Sequence, residues 1–139
     1  MEQGRRGLQT PALELAFVSS RELNGQRVDQ HVDAYHGGLC YTSPVHDELP
    51  RLGADIVVLA LPNGKSAICV EAFDKAALDP IIVDLSADHR FDAGWYYGLP
   101  ELTRDKWRGQ HRISNPGCYA TAMQLSIAPL KDLLAAPPV

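Results

Sequence analysis

Hydrophobic and polar positions alternate in blocks along this chain. Leu13 to Val18 partly alternates, then turns fully apolar, which predicts a strand stopping at the polar cluster Ser19-Ser20-Arg21. Gly25 to Pro50 is loop-rich, with a short strand over Leu39–Thr42 and a helical piece over Asp47–Leu52 ended by Gly53. Asp55–Leu61 is a continuous β-branched apolar run, the pattern of a parallel strand covered on both faces. Pro62-Asn63-Gly64 breaks it. Lys65 to Ala77 then predicts a helix with Ala67, Ile68, Val70, Ala72 and Phe73 on its apolar side, and Ile81–Leu85 the next strand. Trp95–Pro100 reads as an aromatic loop, Thr103–Gln110 as a polar connection and His111–Ser114 as a short strand. A last helix spans about Tyr119–Leu134, kinked or divided by Pro129, and Pro137-Pro138 follow. Residues 1–12 read as loop or frayed terminus. Alternating strands and helices predict an α/β domain with a doubly wound parallel sheet.

Composition narrows the class. A chain of 139 residues suffices for one modest domain with a core. Hydrophobic content of 45% and charged content of 22% are ordinary for a globular protein. A net charge of −4 implies no general affinity for nucleic acid or an anionic membrane. No run approaches the ~18 apolar residues that span a bilayer. The segment 1–7 has no apolar core behind its charges, so it is not read as a secretory signal. Cys40, Cys69 and Cys118 are odd in number and form no CxxC pair, against a disulfide framework or zinc site and in favour of a reducing, cytoplasmic setting. His31, His36 and His46 lack ligand spacing and are expected at the surface, so no metal is expected.

Candidate chemistry concentrates in Ser114-Asn115-Pro116-Gly117-Cys118-Tyr119-Ala120-Thr121. Pro116 and Gly117 end an extended segment and place Cys118 in the first turn of a helix. There, unpaired N–H groups and the helix dipole favour a thiolate. Such settings can lower a cysteine pKa from about 8.5 to roughly 3.5–7.5. One reading is a nucleophile for a carbonyl; the other is a small buried hydrophobe at a helix start. Spacing leaves them near even, and the sharp Asn-Pro-Gly turn favours the nucleophile. Ser19, Ser20 and Arg21 are either phosphate ligands at a strand's carboxyl end or an ordinary turn. Asp88-His89 is either a base with its orienter or a turn with a cap, and the turn is preferred for the isolated pair.

The stretch Asn115–Thr121 resembles the active-site signature of the N-acetyl-gamma-glutamyl-phosphate reductases, NADPH-dependent enzymes of arginine biosynthesis. Phe17–Leu23, Leu59–Gly64 and Asp84–Phe91 leading to Trp95–Leu102 match that family in order. The resemblance runs from about Leu13 to the C-terminus. It implies that Cys118 attacks the acyl phosphate of N-acetyl-glutamyl 5-phosphate, that phosphate leaves, and that the thioester is reduced to the semialdehyde. It also implies that Ser19, Ser20 and Arg21 meet the ribose and 2′-phosphate of NADP. Leu61, Pro62 and Ser86 also line the cofactor, and Asn115 and Gly117 contact substrate. The family is expected to be homo-oligomeric. Its first strand and glycine-rich turn, and its C-terminal α+β catalytic and dimerisation domain with the acid/base histidine, are not matched. Neither His89 nor His111 is promoted to that role. Residues 13–139 therefore read as a partial Rossmann-like NADP-binding domain ending in the cysteine helix. Weak or absent NADPH binding and no activity are expected of the chain alone. A related aspartate-semialdehyde-type dehydrogenase and a non-catalytic remnant that binds a partner or nothing are the competing readings.

Overall fold

The structure, a computed structural model, describes residues 13–133, which divide into two units between Ala54 and Asp55. In the first unit β1 (Val18–Ser19) pairs in parallel with β2 (Tyr41–Thr42), with Val18 opposite Tyr41. The strand expected from Leu13 is thus only its last residue and Ser19. Leu13 and Leu15 are exposed and face no ladder among the described residues, so their alternation has no sheet to serve. Val28 and Tyr41 are buried. A 3₁₀ turn over His46–Leu52 takes the place of the predicted helical piece. Gly53 ends it at φ 69°, the left-handed conformation that glycine adopts without a Cβ clash.

The second unit holds β3 (Ile56–Leu59), α1 (Ala67–Lys75), β4 (Ile81–Asp84), β5 (Tyr96–Tyr97), α2 (Pro100–Thr103), β6 (Arg112–Ser114) and α3 (Cys118–Ile127). Its four strands form one sheet in the order β3-β4-β6-β5, every pair parallel. Val57 lies opposite Ile82, Val83 opposite Ile113 and Tyr97 opposite Ser114. The buried residues are Val57 and Leu59 of β3, Ile82 of β4, and Cys69, Val70, Ala72 and Phe73 of α1. Ile82, in an interior strand, has no exposed surface. β3 was expected to be covered on both faces, but Val58 is 58% exposed and Ile56 also reaches solvent. β3 stands at the sheet edge with one face bare.

α1 is shorter at both ends than the apolar pattern suggested, with Ser66 as its N-cap. Its buried side chains follow the 3.6-residue period through 69, 70 and 73, which puts Cys69 inside and leaves Ile68 exposed. The aromatic loop contains β5 and runs into α2, whose last residue Thr103 opens the polar connection ahead of a 3₁₀ turn, Arg104–Lys106. α3 begins at Cys118 itself and gives way at Ala128 to a 3₁₀ segment, Ala128–Leu133, at the position of Pro129. Leu134 lies outside the described residues, as do residues 1–12.

At the amino ends of the strands, Arg112 ties β6 to the end of α1 and the turn before β4. Its guanidinium donates to Asp74 at 3.1 Å, to Asp79 at 2.8 Å and to the Pro80 carbonyl at 3.0 Å. His111 Nδ1 lies 2.7 Å from Asp79. These ties fix the start of β6, and its carboxyl end then emerges at the opposite edge.

Candidate active site

Because β3, β4 and β6 are adjacent and parallel, the segments that follow them leave from one edge. Leu85 N–H donates to the Leu59 carbonyl at 3.0 Å and Asn115 N–H to the Asp84 carbonyl at 2.8 Å, carrying both ladders to that edge. In open α/β sheets, ligands bind beyond the carboxyl ends of the strands.

The loops after β3 and β4 are tied by side chains. The Asp88 carboxylate accepts from Gly64 N–H at 2.6 Å, Ser66 N–H at 3.1 Å and the Ser66 hydroxyl at 2.8 Å. Asn63 Oδ1 accepts from Ala87 N–H at 3.0 Å. Beneath them the fully buried Asp84 accepts from Ser86 N–H at 3.0 Å and the Ser86 hydroxyl at 2.8 Å. Ser86 Oγ in turn accepts from Asp88 N–H at 3.1 Å. The buried Asp84 carboxylate and Ser86 hydroxyl therefore both have partners, as buried groups require. The Gly64 amide, with the Ser66 hydroxyl and amide behind it, pulls the Asp88 pKa down to about 2. A carboxylate so strongly held is a poor proton acceptor near neutrality. The geometry is that of a cap on the approach to α1, which decides the Asp88-His89 pair in favour of the turn.

His89 stacks on Trp95 with ring centroids 4.1 Å apart and planes 3° from parallel. Its Nδ1 lies 2.7 Å from Asp92 Oδ2, and its Nε2 is buried without a partner among the described residues. His111 stands at the other end of β6 from Cys118, bound to Asp79.

Cys118 is the first residue of α3 and is exposed. Gly117 precedes it in extended conformation (φ −70°, ψ 147°), and Thr121 N–H closes the first turn onto the Gly117 carbonyl at 2.9 Å. Gln124 of α3 donates to the Tyr97 hydroxyl of β5 at 3.1 Å, which sets the helix against the sheet's end. Asn115 Nδ2 bonds the Pro116 carbonyl at 3.1 Å within the turn. Arg90 reaches across from the loop after β4, its Nε–H donating to the Asn115 carbonyl at 3.0 Å. The other two thiols differ. Cys40 is exposed in the first unit, and burial pushes the Cys69 thiol pKa up.

Within the second unit, the residues singled out from the sequence gather at one edge. Leu61 is half-buried and Pro62 exposed after β3; Ser86 is buried after β4; Asn115, Gly117 and Cys118 follow β6. In the first unit, Ser19 ends β1, Ser20 follows with its N–H on the Thr42 carbonyl at 2.9 Å, and Arg21 is exposed. An exposed hydroxyl and guanidinium at a strand's carboxyl end are donors that suit a phosphate. Sequence reasoning gave no role to Arg90 or Asp84. Arg90 was legible only as one cation in a polar loop. Asp84 had a clearer signal: an acid ending an apolar strand must find donors once buried.

Among the described residues, no helix is long and apolar enough to cross a membrane, and no three His, Cys, Asp or Glu side chains group to hold a metal ion.

The family model for the semialdehyde dehydrogenase NAD-binding domain matches residues 6–110, beginning ahead of Leu13 and ending short of Cys118. Curated relatives extend the likeness. An N-acetyl-gamma-glutamyl-phosphate reductase of Xanthomonas axonopodis pv. citri (strain 306) is 62% identical over 128 residues, which cover 92% of this chain and 40% of the relative. Proteins of the same name from Stenotrophomonas maltophilia (strain R551-3) and Xylella fastidiosa (strain 9a5c) are each 59% identical over 128 residues. The chain spans about two-fifths of the length of these relatives. Among solved structures, aspartate semialdehyde dehydrogenase II from Vibrio cholerae superposes with a TM-score of 0.60 at 16% identity, covering 84% of this chain and 37% of that one. At that identity the likeness concerns the fold. With residues 6–110 matched and the parallel sheet in place, the chain belongs to the semialdehyde dehydrogenase NAD-binding domain family.

Proposed function

We propose that this chain is the part of an N-acetyl-gamma-glutamyl-phosphate reductase that carries the nucleophilic thiol and part of the NADP site. The observation that carries the reading is the exposed Cys118 at the start of α3, beyond the carboxyl end of β6 and on the same sheet edge as the loops that follow β3 and β4. The names of relatives at about 60% identity support the substrate class, an N-acylated glutamyl phosphate, over its aspartyl counterpart.

In this reading the Cys118 sulfur attacks the acyl carbonyl. The S–C bond forms, the C–O bond to phosphate breaks, and phosphate leaves with the electron pair. The first-turn N–H groups of α3 face the developing oxyanion, where fixed donors lower the barrier. Asn115 and Gly117 hold the substrate against the turn. Leu61, Pro62 and Ser86 line the cofactor, and Ser19, Ser20 and Arg21 take the ribose and its 2′-phosphate. A reduced nicotinamide bound there would supply the hydride that takes the thioester carbon to the aldehyde level, the C–S bond then breaking to free the aldehyde and return the Cys118 sulfur. The thiols suit a reducing cytoplasm, and the longer protein is a homo-oligomer.

Phosphate release tests the reading. Complete reduction is not expected of the chain alone, but the first half-reaction needs only the thiol: with N-acetyl-glutamyl phosphate and no nucleotide, the chain should release about one phosphate per molecule and then stop, as a covalent first step dictates. Cys118→Ser should release none. Release that persists in Cys118→Ser would contradict it.

A further inference from the structure

We infer that Arg90 is a positioning residue for Cys118, holding the backbone turn from which the thiol is presented. The inference deepens the proposed function and bears on catalysis only if Cys118 is the nucleophile, but its geometry stands independently of that reading.

Two observations meet at one guanidinium. The first is the bond from Arg90 Nε–H to the Asn115 carbonyl. The second is the space at Gly117. A Cβ built there would lie 3.0 Å from Arg90 Nη1, 3.5 Å from Cζ and 3.8 Å from Nη2. Gly117 has an extended backbone that any residue adopts, so its bare Cα answers to the guanidinium rather than to backbone freedom. Among the described residues, Arg90 is the one side chain from another segment that hydrogen-bonds to residues 115–118.

Arg90 is itself steadied from behind. The loop that carries it is fastened by Asp88 to Gly64 and Ser66 and by Ala87 to Asn63. A line of contacts therefore runs from the start of α1 through the loop after β4 to the turn that leads into α3. A planar fork with a fixed Nε–H suits such a bridge; a lysine ammonium at the end of a flexible stem does not.

The test uses Arg90→Ala, Arg90→Lys, Gly117→Ala and the double variant Arg90→Ala/Gly117→Ala in the full 139-residue chain. Two quantities are read. One is hydrogen exchange at the Thr121 amide, which closes the first turn onto Gly117, against the Ile82 amide, which bonds the His111 carbonyl in the sheet. The other is the iodoacetamide labelling rate of Cys118 relative to the exposed Cys40. A frayed turn no longer presents the sulfur from a fixed position at the start of α3, so the ratio moves with it. Arg90→Ala and Gly117→Ala should each speed Thr121 exchange about tenfold with Ile82 unchanged, and lower the Cys118:Cys40 ratio about threefold. Arg90→Lys should behave like Arg90→Ala. In the double variant the alanine methyl has room, so it should be no worse than Arg90→Ala alone. Unchanged Thr121 exchange and labelling ratio in a folded Arg90→Ala chain would overturn the inference. So would full restoration by lysine, or losses that multiply in the double variant. Should Arg90→Ala not fold, Gly117→Ala and Arg90→Lys carry the same comparison. None of these measurements needs substrate or nucleotide. A chain that fails to release phosphate yet shows these changes would refute the proposed reaction and leave the Arg90 assignment standing.

Discussion

Asp88 joins two loops through three donors, and that makes it sensitive to acid. Its pKa is held near 2, below the ordinary carboxylate value of about 3.9. A depressed carboxylate contributes stability that is fully present above the unfolded-state pKa and is lost as protonation sets in. Chemical denaturation followed from pH 5 to pH 2 should show stability falling below about pH 4, and falling less in Asp88→Asn, which has already lost the charge. Equal pH slopes in the two chains would remove Asp88 from the site's framework. The cysteines separate by burial in the same way. Native iodoacetamide should label Cys118 and Cys40 and spare Cys69, which is 4% exposed and whose thiol burial disfavours as thiolate. Labelling of Cys69 without denaturant would contradict the packing of α1. Cys118 was legible because a Pro-Gly turn before a helix is a local pattern. Arg90 was not, because its meaning lies in a carbonyl 25 residues further along the chain.

The strands most plainly legible were those whose own residues fill a core, although the short strands expected over Leu39–Thr42 and His111–Ser114 also form in part. Ile56–Leu59 and Ile81–Asp84 announce themselves by apolar runs, and both form. β5 does not, since Tyr96–Tyr97 is extended only because it pairs with β6 and because each hydroxyl finds a partner, Tyr96 on Thr103 at 2.8 Å and Tyr97 on Gln124 at 3.1 Å. Of the strand expected from Leu13 only Val18 forms, for the opposite reason: the residues before it have a suitable pattern but no ladder partner among the described residues. Two substitutions test the sheet. Ile82→Ala removes a side chain with no solvent exposure and should cost about 2–5 kcal/mol in denaturant unfolding. Gly98→Ala would set a Cβ 3.1 Å from Ile113 Cγ2 and 3.3 Å from the Ser114 carbonyl, where Gly98 N–H meets β6 at 2.9 Å. That crowding should cost about 1–3 kcal/mol. A neutral Gly98→Ala would mean that β5 and β6 approach less closely than described.

The parallel α/β class followed from alternation of elements along the whole chain, and the carboxyl-edge placement of the thiol followed from the class. Coverage of the surface did not, because a run of apolar residues says nothing about which face will have a neighbour. Ile56 and Val58 on β3, and Tyr119, Met123, Ile127 and Leu130 along α3 and the turn after it, are exposed. Bare strand edges and apolar faces promote association. Light scattering after size exclusion should therefore show a mass that rises with concentration, and a monodisperse monomer at all concentrations would contradict this. The measurement closest to the chemistry is peptide mapping after acid quench of the chain with N-acetyl-glutamyl phosphate and no nucleotide. The account predicts an N-acetyl-glutamyl thioester on the peptide containing Cys118 and none on the equally accessible Cys40. An unmodified Cys118, or the two cysteines modified alike, would contradict it.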